Sequence, residues 1–347
     1  MDYGYYEQAC SPLRGRNLEE LRGFLAGMGL RYDEGIEYSV LIRNGEDRII
    51  ATASLQEDVI KCVAVDSAVQ GEGLTAALLT DVRREALSRG RRHLFLYTKP
   101  ENRAQFAGLG FHEIAGTETA LLMEDKRTGF TGWVESVRRP EAAGTIGAAV
   151  MNCDPMTVGH RYLIEQAAAQ CDFLYLFVVS EDKSAVPALD RLAMVQEAAR
   201  DLPGVSVTGT DRYLISYATF PDYFLKDRNR VGEVWTALDI AVFCRVAKAL
   251  GVTKRFVGSE PFCPVTGAYN RAMAVLLPGR GIELVEVPRL EREGAAISAT
   301  AVRKLLRENR WQEIRPLVPE AVFTYFAQEQ NRLRIRGRLE QGEAAPQ

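Results

Sequence analysis

The chain has 347 residues, 47% of them hydrophobic and 26% charged, which is the composition of a globular protein long enough for two domains. A formal net charge of −3 gives no basic surface of the kind that nucleic-acid binders use. The N-terminus lacks a secretory signal pattern, and no apolar run is long enough to span a bilayer. The six cysteines are scattered without a metal or disulfide spacing. We therefore expect a cytoplasmic protein that binds neither nucleic acid nor membranes.

The first part of the sequence predicts a mixed α+β domain over residues 1–125. Asn44-Gly45 is a turn signal between two strand-like runs, EYSVLIR and RIIATASL. The run DVIKCVAV predicts a third strand, and a helix is expected from Leu74 to Ser88. The strand HLFLY, a short helix near residues 101–107 and a last strand pair near residues 111–124 complete this domain.

The sequence changes its pattern after residue 125. Residues 126–143 are polar and interrupted by Gly and Pro, which indicates a linker. From residue 144 to 335, strands and helices alternate, which predicts a doubly wound, Rossmann-like α/β domain with a parallel sheet. Its strand-like runs are TIGAAVM, FLYLFVV, VSVT, KRFVG and ELVEV, and a long helix is expected between Val234 and Leu250. Residues 336–347 are predicted to be a frayed tail.

A polar segment, NCDPMTVGH, separates the first strand of the second domain from its first helix. The start of a helix favours an anion, because its backbone N–H groups and its dipole point outward there. Gly159 allows a ligand to approach the backbone, while Thr157 and His160 offer hydrogen-bond donors to phosphate oxygens. Asp154 and Pro155 shape the turn. From these residues alone, a capping or packing role for His160 is the simpler interpretation.

Two motifs together resemble the nucleotidyltransferase superfamily. The stretch TVGH resembles the signature [HT]xGH, and the later stretch ISATAVR resembles ISSTxxR, with Ala299 in place of a serine. The resemblance implies that Thr157 and His160 bind the α-phosphate region of ATP. It also implies that Ser298, Thr300 and Arg303 hold the β- and γ-phosphates. Magnesium is then expected to be held by the ATP phosphates and Asp154, because the sequence shows no carboxylate cage that would form a protein metal site.

Further candidates in the second domain follow from the same resemblance. Lys183 follows the second strand, where related adenylyltransferases keep a lysine near the phosphates, and Lys226 is a second candidate. A solvated surface position is the simpler interpretation for both lysines. The stretch FVGSEPFCPVTGAYNRAM resembles the segment that helps to seat the nucleotide. It places three residues near the adenosine, namely Gly258, Ser259 and Glu260.

The first domain carries its own glycine-bearing loop ahead of a helix, QGEGLT. Such a loop can cradle a pyrophosphate, although an ordinary strand-to-helix turn explains it equally well. It resembles the Q/R-x-x-G-x-G/A motif of the GCN5-related acetyltransferases, with Thr75 in place of the last small residue. The resemblance implies that Gln70, Gly71 and Gly73 bind the pyrophosphate of a CoA-like group. We do not assign His93 or His112 as a general base, because a packing or surface role is the simpler interpretation for each.

The order of these two domains resembles the citrate lyase ligase family over nearly the whole chain, including the stretches TKPEN, ATFPDYFLKD and GSEPFCPVTGAYN. The resemblance implies an enzyme, an acid–thiol ligase that makes acetyl-AMP and pyrophosphate from ATP and acetate. The acetyl group would then pass to the thiol of the phosphoribosyl-dephospho-CoA prosthetic group on the acyl-carrier subunit of citrate lyase. The first domain is a candidate docking site for that CoA-like group.

Two other functions remain open on the residues alone. An adenylyltransferase of cofactor biosynthesis, of the phosphopantetheine or nicotinamide mononucleotide type, would carry the same two signatures. A sensor that binds acyl-CoA and ATP without turnover would use the same loops, although the nearly complete set of phosphate-binding residues disfavours it. Pyrophosphate release that depends on acetate would favour the ligase, and release that depends on a phosphate ester would favour the adenylyltransferase. Ligand binding without AMP formation would indicate the sensor.

Overall fold

The structure, a computed structural model, describes residues 4–182, 184–214, 224, 231–260, 263–292 and 295–343. These residues divide into two compact units. The first unit contains residues 4–132, residue 224 and residues 231–241, and the second contains the described residues of 133–214 and 242–343. The two-part α/β fold class predicted from the sequence is confirmed.

The first unit is built on a seven-stranded mixed sheet, in the order β1-β2-β3-β4-β5-β7-β6. The elements are β1 Tyr6–Cys10, α1 Gly15–Gly27, β2 Tyr38–Arg43, β3 Ile49–Gln56, β4 Val59–Val65, α2 Leu74–Ser88, β5 Phe95–Thr98, α3 Arg103–Gly108, β6 His112–Gly116 and β7 Leu121–Glu124. Strands β2 and β3 form the predicted antiparallel pair. Their turn is wider than a two-residue hairpin, since the Asn44 side chain accepts from the amides of Glu46 and Arg48.

Strands β4 and β5 are the parallel pair of this sheet, and they separate soon after they meet. They pair only at Val59–Phe95 and Ile60–Leu96, although β4 continues to Val65 and β5 to Thr98. The separation opens a cleft at the carboxyl ends of the two strands. Helix α2 begins beside this cleft and packs its buried face, including Leu78 and Leu79, on the sheet.

The second unit contains a five-stranded parallel sheet, in the order β10-β9-β8-β11-β12. From residue 129 onward, the elements of the chain are α4 Gly129–Val137, β8 Ile146–Met151, α5 Val158–Ala168, β9 Phe173–Val178, α6 Ala188–Ala198, β10 Val205–Gly209, α7 Val231–Leu250, β11 Lys254–Gly258, α8 Pro264–Leu276, β12 Glu283–Val287, β13 Glu291–Arg292, β14 Ala295–Ala296, α9 Ala299–Arg307, α10 Glu320–Ala327 and α11 Glu329–Glu343. Residues 129–132 of α4 and 231–241 of α7 belong to the first unit. Every residue of β9 is buried, as expected for a parallel strand that is covered on both faces.

Two segments differ from their prediction. The segment predicted as a linker contains helix α4, which begins beside Glu124, whose carboxylate accepts from the Phe130 amide at 2.8 Å. The segment predicted as a frayed tail continues helix α11 to Glu343. Ile335 and Leu339, one helical turn apart, belong to the buried core of the second unit together with residues of α9. The charged residues between them mask this short apolar stripe in the sequence.

Candidate nucleotide-binding site

A cleft of about 800 Å³ lies at the carboxyl edge of the parallel sheet. Strand β8 is the first strand of this sheet in the sequence, and the chain adds β9 on one side of it and β11 on the other. In sheets of this kind, ligands bind where the strand order reverses. Nine of the residues singled out in the sequence line this cleft, namely Thr157, Gly159, His160, Gly258, Ser259, Glu260, Ser298, Thr300 and Arg303.

Thr157 and His160 form a reciprocal cap at the start of α5. The Thr157 hydroxyl accepts from the His160 amide at 3.3 Å, and the Thr157 amide donates to Nδ1 of His160 at 3.0 Å. An Nδ1 atom that accepts this bond carries no proton, so the neutral ring holds its proton on Nε2. The cap therefore fixes both the orientation of the ring and its tautomer.

The imidazole of His160 stays neutral at physiological pH. Burial, and to a smaller extent the positive charge of Arg289, lower the pKa of His160 to about 4. The ring is thus a neutral hydrogen-bond donor through Nε2, at a helix start where backbone amides also favour an anion. The capping role that seemed the simpler interpretation and a ligand-binding role are compatible, because they use different ring nitrogens.

Gly159 lies between the two capping residues and packs closely on the segment before α9. A side-chain Cβ at this position would lie 3.4 Å from the backbone oxygen of Ile297 and 3.5 Å from the Thr157 hydroxyl. Because Gly159 has no side chain, backbone atoms form the wall of the cleft at this point.

The start of α9 contributes the second group of donors. The Ser298 hydroxyl caps this helix by accepting from the Ala301 amide at 3.2 Å. Arg303 donates through Nη2 to the Thr300 hydroxyl at 3.1 Å and through Nη1 to the backbone oxygen of Asp154. The loop after β8 and the start of α9 are thereby joined, so the two sequence signatures meet in a single cleft.

Asp154 has a different position from the one expected of a phosphate or magnesium ligand. It is buried, and its carboxylate accepts from the amides of Ala185 at 3.1 Å and Val186 at 2.7 Å. The guanidinium of Arg303 lies 3.6 Å from the same carboxylate. Asp154 is not among the residues that line the cleft, and its bonds instead hold the loops after β8 and β9 together.

The loops after β11 and β12 contribute a cation that the sequence did not reveal. Arg289 donates through Nε to the backbone oxygen of Ser259 at 2.8 Å and forms an ion pair with Glu260. The Ser259 hydroxyl accepts from the Arg289 amide at 3.1 Å. Arg289 lies two residues beyond the end of β12, at the edge where ligands bind, and this position is the signal that could have identified it.

Two predicted lysines, Lys183 and Lys226, lie outside the described residues. Among the described residues that line the cleft, the cations are Arg289 and Arg303, and Glu260 is the anion. Nor do the described parts of the chain contain a cluster of three or more His, Cys, Asp or Glu side chains that could hold a metal ion.

The remaining predicted residues lie in the first unit, in the cleft between the separated ends of β4 and β5. Gln70, Gly71 and Gly73 line this cleft of about 510 Å³, together with residues of β4 and β5. Gly71 and Gly73 have left-handed φ angles of 89° and 80°, which favour glycine. Gly73 is the N-cap of α2, so the backbone amides at the start of that helix lie at the cleft.

The two sheets define an α/β protein in which each of the two clefts lies at the start of a helix. The family profile described as the citrate lyase ligase C-terminal domain matches residues 146–326. The citrate [pro-3S]-lyase ligase of Klebsiella pneumoniae is 40% identical over 317 residues, which cover 89% of this chain and 92% of the relative. The enzyme of the same name from Escherichia coli is 41% identical, with 90% of each chain covered. The chain therefore belongs to the citrate lyase ligase family.

Other likenesses are shorter or weaker. A phosphopantetheine adenylyltransferase of Symbiobacterium thermophilum is 34% identical over 67 residues, which cover 19% of this chain and 41% of the relative. Among solved structures, Escherichia coli ElaA has a TM-score of 0.31 and 17% identity, covering 35% of this chain and 99% of its own. Thermotoga maritima TmcAL bound with alpha-thio ATP has a TM-score of 0.38 and 18% identity, covering 55% and 57%.

None of the helices in the described ranges is long and apolar enough to cross a membrane. All six cysteines lie within the described residues and form no disulfide.

Proposed function

We propose that this protein is an acid–thiol ligase that acetylates the thiol prosthetic group of the citrate lyase acyl-carrier subunit. Acetate and ATP give acetyl-AMP and pyrophosphate, and the thiol then receives the acetyl group and releases AMP. The observation that carries the proposal is the meeting of Thr157 and His160 with Ser298, Thr300 and Arg303 in one cleft. The family relatives that match about 90% of the chain support the choice of substrate.

The first step needs charge stabilisation rather than a side-chain nucleophile. An acetate oxygen attacks the α-phosphorus, the bond between this phosphorus and the β-bridging oxygen breaks, and pyrophosphate leaves. Negative charge grows on the α-phosphoryl oxygens, where the His160 Nε2 proton and the amides at the start of α5 would donate. Arg303 and the start of α9 would stabilise the departing pyrophosphate.

Magnesium fits this site as part of the substrate. The carboxylate of Asp154 already accepts two backbone amides, and the described residues provide no cluster of metal ligands. The ion would therefore arrive on the ATP phosphates, whose charge it would neutralise. Lys183 and Lys226 stay predicted phosphate contacts, and Gly258, Ser259 and Glu260 stay predicted neighbours of the adenosine.

The direct test is an assay of acetate-dependent exchange between ATP and pyrophosphate, followed by AMP formation with deacetylated citrate lyase. We expect exchange with acetate alone and stoichiometric AMP and thioester once the deacetylated carrier is added. Exchange that requires a phosphate ester instead of acetate would contradict the proposal and indicate an adenylyltransferase of cofactor biosynthesis. ATP binding without AMP formation in the presence of both substrates would indicate a sensor.

The cleft of the first unit suits the CoA-like arm of the prosthetic group. Its amides at the start of α2 favour a pyrophosphate, and its apolar wall, which includes Val63, Val65 and Phe106, suits an extended pantetheine-like chain. The described residues that line it include the titratable side chains of Tyr97, Lys99 and Glu101 and no His, Cys or Asp. Because the two phosphate-binding signatures lie in the second unit, we assign the first cleft a docking function and place the acetyl chemistry in the second unit.

Separate assays of the two half-reactions test the docking function. The variants Gln70→Ala and Gly73→Val alter the first cleft and leave every residue of the second unit unchanged. Acetate-dependent exchange is expected to stay within about twofold of the unmodified protein, while acetylation of the carrier falls at least about tenfold. Unaffected carrier acetylation in both variants would remove the docking function and leave the adenylation site intact.

A further inference from the structure

Arg191 of α6 is fully buried, and the oxygens it binds are not carboxylates. Its Nε donates to the Val186 backbone oxygen at 3.0 Å, and its Nη2 donates to the backbone oxygen of Glu181. Its Nη1 donates to both the backbone oxygen and the side-chain Oδ1 of Asn152, at 2.7 and 2.5 Å. Burying a guanidinium is costly unless its donors are satisfied, so this arrangement is a strong constraint on the loops it joins.

The contact with Arg191 determines which way the Asn152 amide faces. A guanidinium has donors and no acceptor, so an asparagine beside it must present its oxygen. The Nδ2 group of Asn152 consequently points away from Arg191, and it donates to the Ser184 hydroxyl at 3.1 Å. Asn152 itself is exposed, follows β8 directly and lines the nucleotide cleft. An amide nitrogen has two N–H donors, and one bond to Ser184 uses only one of them.

We propose that Asn152 is a further nucleotide-binding residue, which donates to a phosphate oxygen through Nδ2, and that Arg191 is its positioning residue. This inference rests on the proposed ATP site in the second unit. Asn152 lies five residues before Thr157 on the same loop, so it borders the region assigned to the α-phosphate. It adds a neutral donor to a cleft whose other neutral donors are hydroxyls, backbone amides and the His160 ring.

The substitution Asn152→Asp separates ligand binding from a purely structural role. An aspartate keeps the oxygen that Arg191 binds and replaces the amide donor by a second, negatively charged oxygen. We expect the melting temperature to be unchanged or raised, while the Kd for MgATP, measured by calorimetry, rises about tenfold to a hundredfold. An unchanged Kd would show that Asn152 only anchors Arg191, and the assignment as a ligand would be withdrawn.

A double-mutant cycle tests the positioning role of Arg191. Arg191→Lys removes the guanidinium whose donors fix the orientation of the Asn152 side-chain amide. The Kd for MgATP is therefore expected to rise several-fold when Asn152 is present. In an Asn152→Ala background the same substitution is expected to change the Kd by less than about twofold, because the residue it positions is gone. An equal rise of the Kd in both backgrounds would mean that Arg191 acts only by stabilising the fold.

Ser184→Ala is the matched control. It removes the second partner of the Asn152 amide and keeps the contact with Arg191, so the Kd for MgATP is expected to stay within about twofold. Failure of the proposed function itself gives a different result, because the unmodified protein would then show no acetate-dependent exchange. If the unmodified protein shows normal exchange and the Asn152→Asp variant has an unchanged Kd for MgATP, only this inference is overturned.

Discussion

Thr157 and His160 each hold the other in place at the start of α5, since the amide of each donates to the side chain of its partner. Because Nδ1 of His160 accepts, Nε2 carries the proton of the neutral ring. A single pair of residues thus begins the helix, orients the imidazole and selects its tautomer. The helix would still begin without the imidazole, but the oriented donor would be lost.

The substitution His160→Ala is therefore expected to lower acetate-dependent ATP–pyrophosphate exchange about 10²–10³-fold, the usual loss for one preorganised donor. His112→Ala is the matched control, because His112 lies on β6 in the first unit. The control is expected to keep the exchange rate within about twofold. An undiminished rate in the His160 variant would contradict the assignment of the α-phosphate site.

The stability of the protein is expected to fall between pH 6.5 and 4, in part because of His160. The pKa of this histidine is about 4 in the folded protein, against 6.5 for the ordinary side chain. In this window the unfolded chain binds more protons than the folded one, so the free energy of unfolding decreases as the pH falls. Urea titrations of a His160→Gln variant should show a weaker decrease over the same window. A decrease identical to that of the unmodified protein would show that other groups account for it.

Arg289 should influence His160 through its charge. The substitution Arg289→Gln removes a positive charge that helps to keep the ring neutral, so the pKa of His160 is expected to rise. A pH titration of the histidine C–H resonances measures the shift directly, and the chain has only three histidines to assign. A lowered or unchanged pKa of His160 would contradict this coupling.

Cys263 is expected to be the most reactive thiol of the protein. It is exposed, lines the proposed nucleotide cleft and is the N-cap of α8. The hydroxyl of Thr266 and the amides at the start of this helix lower the pKa of its thiol, whereas burial raises the pKa of Cys62 and Cys153 to about 12. Mild treatment with iodoacetamide, followed by peptide mass spectrometry, should therefore show modification of Cys263 first.

MgATP should slow this modification if the cleft binds the nucleotide. The Cys263→Ser variant is the control, and it should lack the fast phase of labelling. Preferential labelling of Cys62 or Cys153 in the native protein would contradict the burial of those thiols.

Two glycines of α4 should respond to alanine in opposite directions. A Cβ at Gly129 would lie 2.1 Å from Oε2 of Glu124 and 2.8 Å from Cε1 of His93, so Gly129→Ala is expected to cost about 1–3 kcal/mol of stability. Nothing lies within 4 Å of a Cβ at Gly132, and Gly132→Ala should stabilise the helix by about 0.5–1 kcal/mol. Denaturant unfolding of both variants measures the difference, and equal effects would contradict the contact between Gly129 and Glu124.

The elements that the sequence predicted well have strong local patterns. The buried run of β9 and the helix from Leu74 to Ser88 are examples, because hydrophobic periodicity depends on neighbours in the chain. The continuation of α11 beyond residue 335 was not predicted, since its stabilising contacts are with distant residues in the core. Strand β1 and helix α1, which precede the first predicted strand, were also not identified.

The same distinction applies to the site. The caps at Thr157 and Ser298 occur within short motifs, so their positions could be predicted. Arg289 has no motif, and only the order of the strands brings it to the cleft. The contacts of Asp154 could not be predicted from local sequence, because the amides that donate to it and the guanidinium beside it are 31 to 149 residues away.

The bond from Arg303 to the backbone of Asp154 has a thermodynamic consequence. Both partners belong to the protein, so the guanidinium loses its rotational freedom when the chain folds and not when a nucleotide binds. The bond also makes the position of this cation depend on the loop after β8, which carries the groups assigned to the α-phosphate. In the proposed reaction, the backbone would therefore set the distance between the groups assigned to the α-phosphate and the guanidinium assigned to pyrophosphate.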